Sequence, residues 1–210
     1  MKKMILLILP LILSAGYKSN ISTINSNIKQ RMIKGNSWRK GCPVPLSNLS
    51  YLTMSYRDFD GKTKTGEMIV HKSVAREVVD IFGKLYKSGY PIHKMRLVSS
   101  YRASDFQSIE ADNTSAFNCR PVTGGKKWSK HSYGKAIDIN PIENPYISRS
   151  GRISHKASLK YRKRIRKNPH KASNNAVMLR NDKIVKLFKA KGWRWGGDWS
   201  SIKDYQHFDK

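Results

Sequence analysis

One clearly amphipathic helix constrains the fold of this chain more than any other feature of the sequence. Apolar residues recur at intervals of three and four between residues 74 and 86, Ser73 can cap the segment, and Ser88-Gly89 ends it. A second helix candidate follows Asn181. Short strand candidates lie irregularly around the two helices, at residues 67–70, 95–101, 133–140, 193–195 and 205–208. This mixture without regular alternation predicts an α+β domain.

The first 36 residues differ in composition from the rest of the chain. Two lysines precede an unbroken apolar run from Met4 to Leu13, and small residues follow at positions 14–16. This is the three-part layout of a secretory signal peptide, which we assign to residues 1–16; the alternative, an uncleaved anchor, needs about 20 apolar residues to span a bilayer. Residues 17–36 show neither a helical nor an alternating pattern and are predicted to be a flexible linker. Residues 37–210 are of a length suited to one domain.

The chain is strongly basic, with 41 Lys and Arg against 14 Asp and Glu and a formal net charge of +27. Such a field draws a protein to polyanions. Export argues against nucleic acid, which leaves anionic cell-wall polymers and acidic lipid headgroups; the alternative is a surface that is merely well solvated. The basic stretch at residues 149–171 is predicted to be a surface excursion. No segment after the first is apolar enough for stable membrane insertion.

The two cysteines, Cys42 and Cys119, bear on the compartment. In an exported protein such a pair more often forms a disulfide than a catalytic site. We therefore expect a disulfide between them, with two free thiols as the alternative in a reducing compartment.

Three residues have the chemistry of a metal site. His131 precedes a tight turn at Tyr133-Gly134, Asp138 lies on the polar side of the strand that follows, and His207 lies in an aromatic-rich strand near the C-terminus. Two imidazoles and one carboxylate are a common ligand set for catalytic zinc, and they leave a fourth position for water. Spacing alone is equally typical of a hydrogen bond between a histidine and an aspartate.

The residues around these positions resemble the motifs of a known family. The segment 129–138, SKHSYGKAID, resembles the S-x-H-x-x-G-x-A-x-D motif of zinc peptidases that include D-alanyl-D-alanine carboxypeptidases, vancomycin-resistance dipeptidases and L-alanyl-D-glutamate endopeptidases. The second motif, an acidic residue three positions before a histidine, appears as Asp204 and His207, and the arginine of a third motif appears as Arg102. The resemblance extends over residues 42–210.

This resemblance implies a zinc ion on His131, Asp138 and His207. It also implies that Asp204 is the general base and that Arg102 binds the oxyanion or a substrate carboxylate. Many members of the family have Glu where this chain has Asp204, which puts the reach of the base in question. The implied fold is a single α+β domain over residues 37–210, with a small, mostly antiparallel sheet flanked by helices.

The activity implied by the resemblance is zinc-dependent hydrolysis of peptide bonds in peptidoglycan stem peptides, in the periplasm or the cell wall. The Trp-rich run at residues 192–199 and Asp204 resemble the endopeptidase branch and favour a cut between L-alanine and D-glutamate. Residues 113–120 instead resemble relatives described as carboxypeptidase-like, which remove the terminal D-alanine.

Three other interpretations fit parts of the sequence. A serine acyl-transfer penicillin-binding enzyme needs S-x-x-K, which begins at Ser37 and at Ser132 among other positions, but S-D-N is missing and the order of motifs differs. Cys119 is a candidate nucleophile with His131 unless it is paired with Cys42. A non-catalytic cell-wall-binding module on the same fold is expected to have lost a metal ligand or the general base. This chain retains all four of these residues, His131, Asp138, Asp204 and His207.

Overall fold

The computed structural model describes residues 16–122 and 124–210. Within these ranges the chain forms ten strands and five α-helices, joined by 3₁₀ turns and loops. The strands are β1 (Ser19–Thr23), β2 (Leu49–Arg57), β3 (Thr63–His71), β4 (Lys94–Met95), β5 (Asn113–Thr114), β6 (Ala136–Asp138), β7 (Tyr146–Ile147), β8 (Arg194–Trp195), β9 (Lys203–Asp204) and β10 (His207–Asp209). The helices are α1 (Ser26–Lys34), α2 (Ala75–Lys87), α3 (Asp105–Glu110), α4 (Ala172–Asn175) and α5 (Lys183–Lys189).

The predicted signal peptide, residues 1–16, lies outside the described residues except for Gly16. Among the helices at residues 16–122 and 124–210, none has the length and apolar character needed to cross a membrane.

The first sheet is antiparallel, with the order β1-β2-β3, and it supports the amphipathic helix. β2 and β3 form a hairpin, and β1 pairs with the other edge of β2. Val78 and Ile81 of α2 are buried and join Leu52 of β2 in the main hydrophobic core. The helix that the apolar spacing predicts is therefore confirmed, at Ala75–Lys87.

The second sheet, ordered β6-β10-β8, is also antiparallel and contains the C-terminal strand. Ile137 of β6, Trp195 of β8 and Phe208 of β10 are buried in the same core as α2. Phe188 of α5 stacks on Phe208, with ring centroids 4.0 Å apart. The short pairs β4–β5, parallel, and β7–β9, antiparallel, complete the sheets. The protein is thus a single α+β domain in which most strand pairs are antiparallel, as predicted.

Residues 17–36 are not the flexible linker that the sequence predicted. β1 pairs with β2 over its whole length, and α1 begins at the Asn25 cap, whose side chain accepts a hydrogen bond from Ile28 N at 2.9 Å. Ile28 and Met32 are buried in a second hydrophobic cluster. The helix has only nine residues, so its apolar periodicity is too brief to stand out from the sequence. Residues 17–36 are therefore part of the folded domain, which the sequence predicted to start at residue 37.

Two predicted strands are shorter than expected because 3₁₀ turns interrupt them. The strand predicted at residues 95–101 is reduced to β4, and a 3₁₀ turn occupies Val98–Tyr101. The strand predicted at residues 133–140 is reduced to β6, since the residues before it form a 3₁₀ turn at Lys130–Tyr133.

The basic stretch at residues 149–171 is a surface excursion only in part. Arg164 is turned inward, donates to Asn144 Oδ1 at 2.6 Å and to Met178 O at 2.9 Å, and lies over the Tyr205 ring at 4.3 Å. Burial lowers the pKa of Arg164 to about 10. This arginine therefore anchors the excursion to the body of the domain.

Cys42 and Cys119 form the expected disulfide, with Cα atoms 5.9 Å apart. Cys119 is buried, and its N–H donates to Ser37 O at 3.0 Å. The bridge ties the segment before β2 to the loop that leads to His131. A sulfur in a disulfide is no nucleophile, so the pairing of Cys119 with His131 in catalysis is excluded in this state.

Candidate metal centre and active site

His131 lies in the 3₁₀ turn Lys130–Tyr133, whose ends are fixed by a hydroxyl and a glycine. Ser129 accepts a hydrogen bond from His131 N at 3.3 Å. Gly134 ends the turn at φ +67°, and a Cβ there would lie 2.5 Å from His71 N, which donates to Gly134 O at 2.8 Å. The serine and the glycine of the motif thus set the backbone path that leaves the His131 side chain buried.

Asp138 and His207 face each other across two paired strands. β6 and β10 are antiparallel in the register that places His207 opposite Asp138. The neighbouring pair, Ile137 and Phe208, is buried in the main core. Because side chains alternate along a strand, the apolar pair points into the core and the polar pair points together to the other side.

The three side chains converge on the Asp138 carboxylate. Oδ1 lies 2.9 Å from His207 Nδ1, and Oδ2 lies 3.1 Å from His131 Nε2. One ligand atom from each residue lies within 4.8 Å of the others, and all three residues are buried. The structure therefore brings together the three metal ligands that the family resemblance implies.

The hydrogen bonding of His131 leaves Nε2 directed at Asp138. Its Nδ1 lies 2.6 Å from Ala116 O, and a carbonyl only accepts, so Nδ1 carries a hydrogen. A neutral imidazole in that tautomer has a lone pair on Nε2, which would face an anionic oxygen. The geometry therefore calls for a positive charge at this point, either a proton or a metal ion.

The charges of Asp138 and of the two histidines stabilise one another. Burial alone would raise the pKa of Asp138, but the charge and hydrogen bonds of His131 and His207 reverse this and hold the pKa well below its usual range. Burial opposes protonation of His207, yet its hydrogen bond to Asp138 and the charge of that carboxylate raise its pKa to about 9. The Asp138 carboxylate is therefore an anion between two imidazoles, and a positive charge at this point, from a proton or a metal ion, stabilises it.

Asp204 comes from a separate pair of strands and lies next to the cluster. It ends β9, which pairs with β7, and the charges of His207, Asp138 and His131 all act on its carboxyl group. Burial raises the pKa of Asp204 to about 7, and the Asp138 charge acts in the same direction. Its Oδ1 is buried and has no hydrogen-bond partner within the described ranges. A buried carboxyl oxygen without a partner is costly in a purely structural role.

Arg102 is exposed and stands apart from these contacts. It follows the 3₁₀ turn Val98–Tyr101 in a left-handed conformation, with φ +52°. Its segment abuts the His131 turn through Asn118, whose side chain donates to Ala103 O at 3.1 Å and whose backbone N–H donates to His131 O at 3.3 Å. No contact described for Arg102 reaches the cluster.

Two groups that shape the site were not singled out from the sequence. The Ala116 carbonyl fixes the His131 tautomer, and a backbone acceptor leaves no trace in the residue type. Gly196 admits Asp204, since a Cβ at Gly196 would lie 2.4 Å from Asp204 O. The glycine pair within the Trp-rich run was a visible signal for such a close approach. Trp199, the last residue of the Trp-rich run, places its ring 5.5 Å from that of His207.

The C-terminal part of the chain matches a protein-family model described as D-alanyl-D-alanine carboxypeptidase, over residues 123–210. This segment is therefore similar to the D-alanyl-D-alanine carboxypeptidase family. The family segment contains all three cluster residues and Asp204, whereas Arg102 lies outside the matched range. The matched segment therefore includes the buried His-Asp-His cluster, which could hold a metal ion. A comparison with solved structures finds no match.

Proposed function

We propose that the protein is a zinc-dependent peptidase that hydrolyses peptide bonds in the stem peptides of peptidoglycan. The observation that carries the proposal is the buried cluster of His131, Asp138 and His207 within a peptidase-family segment. We also propose that the protein acts outside the cytoplasm, in the periplasm or the cell wall. The signal-peptide pattern at residues 1–16 and the Cys42–Cys119 disulfide support export.

The donor set fits zinc. Imidazole nitrogen and carboxylate oxygen are its usual ligands, and the second nitrogen of His131 is bonded to a backbone carbonyl, as is common for metal-binding histidines. A zinc ion bound there would supply Lewis-acid activation of the attacking water and of the scissile carbonyl.

The remaining roles fall to side chains beside the cluster. Asp204, with a buried oxygen that no described group satisfies, is the proposed general base: it takes a proton from the attacking water and passes it to the leaving amine. Arg102 is the proposed cation for the oxyanion or for a substrate carboxylate, and its exposed side chain is available to a substrate.

A metal and activity assay on matched variants tests these assignments. We expect purified protein to hold one zinc per chain, and Asp204→Ala to keep that zinc while turnover falls about 10²- to 10⁴-fold, the usual contribution of a general base. His207→Ala should lose both zinc and activity. Asp80→Asn serves as the control, because Asp80 is exposed on α2 and pairs with Lys84 and Lys191. Loss of zinc in Asp204→Ala, or full activity after exhaustive chelation, contradicts the assignment.

Among the bonds of the stem, we propose the one between L-alanine and D-glutamate. The Trp-rich run and the aspartate at position 204 resemble the endopeptidase branch. Incubation with a pentapeptide stem, followed by mass spectrometry, distinguishes the two cuts. Release of L-alanine from the rest of the stem supports the endopeptidase cut, whereas release of D-alanine alone identifies a carboxypeptidase. Cleavage of neither bond by zinc-loaded protein rejects the substrate class.

A further inference from the structure

An open cavity of about 340 Å³ lies beside the His131 turn and is not lined by the metal-binding cluster. Its lining residues are Val44, His71, Lys130, Tyr133, Lys135 and Lys210. The volume is at the lower end of the range for small-molecule sites, roughly 300–1,000 Å³. Four of the six side chains are basic types and none is acidic, which indicates an anionic ligand.

The lysines of this cavity differ in whether their charge is neutralised. Lys210 donates to both oxygens of Glu77, at 3.0 and 2.9 Å, and is therefore engaged. Lys130 and Lys135 take part in none of the ion pairs that lysines form within residues 16–122 and 124–210. Two ammonium groups on one short segment are thus available to a bound anion.

His71 and Tyr133 add neutral polar groups to the lining of the same cavity. His71 Nδ1 accepts a hydrogen bond from Ser73 N at 3.2 Å, so the ring hydrogen is on Nε2, which is a donor. Burial lowers the pKa of His71, and the charges of Lys135 and Lys72 lower it further. The Tyr133 side chain is exposed and offers a phenolic hydroxyl.

The backbone holds these groups in a fixed relation. His71 N donates to Gly134 O at 2.8 Å, and Gly134 lies between Tyr133 and Lys135 in the chain. Lys130 and Lys135 therefore lie on either side of the point where Gly134 meets the His71 backbone. The two backbones are so close there that position 134 has no room for a side chain. The cavity is a product of the same turn that positions His131.

We propose that this cavity binds a phosphate group, either free or within a phosphodiester, with Lys130 and Lys135 supplying charge and His71 and Tyr133 supplying hydrogen bonds. Phosphate has more acceptor oxygens than a carboxylate and matches several donors arranged around one point, and lysine is a common partner for it. A site at this position would hold a phosphate-bearing chain next to the metal-binding turn. The inference is independent of the proposed hydrolysis, because its test measures binding alone.

Calorimetric titration of the zinc-loaded protein tests the site, with inorganic phosphate and glycerophosphoglycerol, a phosphodiester, as probes. We expect saturable binding of at least one probe, and about tenfold or greater weakening in the double variant K130Q/K135Q, as loss of two charge-assisted contacts implies. His71→Asn should also weaken binding, since the asparagine oxygen can still accept from Ser73 N while the ring donor is lost. Binding of inorganic phosphate alone assigns the site to a terminal phosphate, and binding of both probes assigns it to a polymer linkage as well.

The charge-matched control is K156Q/K163Q, which removes two exposed lysines elsewhere on the surface. This variant should retain the affinity of the wild type within about twofold, because neither lysine lines the cavity and charges beyond roughly 8 Å are screened at physiological ionic strength. Histidine NMR locates the probe: we expect the His71 ring signals to shift, whereas binding at the zinc would shift those of His131 and His207. Equal weakening in the control, undiminished binding in K130Q/K135Q, or no saturable binding to the wild type overturns the proposal.

Discussion

Buried carboxyl groups in this protein differ according to the group that faces each of them. Asp138 faces two imidazoles and is held as an anion. Glu143 is buried, faces the Asp112 carboxyl, and has one oxygen without a partner among the described residues. Burial, together with the charge and hydrogen bond of Asp112, raises the pKa of Glu143 to about 9. Asp138 is therefore ionised within the His-Asp-His cluster, whereas Glu143 keeps its proton at neutral pH.

The protonated Glu143 should make the stability of the protein depend on pH. In the unfolded chain this group loses its proton near its ordinary pKa of 4.5, whereas in the folded protein it keeps the proton up to about 9. Stability should therefore fall as pH rises between these values, by at most about 1.4 kcal/mol per pH unit from this one proton. Glu143→Gln mimics the protonated acid and should flatten the slope and raise the free energy of unfolding at pH 8.

Denaturant unfolding at pH 5, 6, 7 and 8 measures this slope. Glu110→Gln is the control, because Glu110 is exposed and pairs with His155 at the surface. An unchanged slope in Glu143→Gln, or an equal change in the control, rules out the buried proton as its source.

At the scale of elements, the site depends on short strands and turns that approach one another closely. β6, β9 and β10 have only two or three residues each, and they are positioned by the turns before them. Gly196 marks the closest approach near the proposed base, since a Cβ at this position would lie 2.4 Å from Asp204 O and 2.9 Å from Asp204 Cβ. The position of Asp204 therefore depends on a residue eight positions earlier.

Gly196→Ala should displace Asp204 while leaving the metal ligands in place. The proposed ligands lie on β6, on β10 and in the 3₁₀ turn Lys130–Tyr133. We therefore expect zinc content to be retained and turnover to fall on the order of 10²-fold, the cost of a displacement of about 1 Å at a reacting group. Gly125→Ala is the matched control, because the nearest atom to a Cβ there lies at 3.6 Å, an ordinary contact. Full activity in Gly196→Ala, with zinc bound, would show that this approach does not position the base.

At the scale of the whole molecule, helix α1 and the loop that leads to His131 are held together by the second hydrophobic cluster and the disulfide. Ile28 and Met32 of α1 belong to the same cluster as Cys119. The disulfide closes a loop with a sequence separation of 77 residues. The segment that the sequence marked as a linker is thus a structural support of the site.

Removing the disulfide should lower the stability of the whole domain. For a loop of this length the chain-entropy model gives on the order of 4 kcal/mol, with strain able to reduce it. Denaturant unfolding of the oxidised protein and of a Cys42→Ser/Cys119→Ser variant measures the difference. Alkylation followed by intact-mass measurement provides the control: two alkylated thiols in the oxidised protein would rule out the bridge.

The net charge of +27 should make binding to intact cell wall sensitive to salt. Exposed basic residues such as Arg162, Lys163 and Lys167 are screened beyond roughly 8 Å at physiological ionic strength. We therefore expect retention on purified sacculi to decline steadily over a salt series in a pull-down assay. Retention that is independent of salt would instead indicate contacts with aromatic side chains.

The sequence by itself determined the features whose cause is local. Helix α2 follows from apolar spacing within one segment, and the turn that carries His131 follows from Ser129 and Gly134 at its ends. The motifs also indicated His131, Asp138, Asp204 and His207, because their order and flanking residues resemble a family. The choice of fold class required only the mixture of helical and strand patterns.

Tertiary structure alone decided the features that depend on distant partners. The α1 segment is ordered because a cluster from other parts of the chain covers Ile28 and Met32, and such a partner cannot be read from nine mostly polar residues. The approach of His207 to Asp138, 69 positions apart in the sequence, depends on the β6–β10 register. The tautomer of His131 depends on the backbone carbonyl of Ala116. These contacts form only when the chain folds, since burial and register are properties of surfaces that no single segment contains.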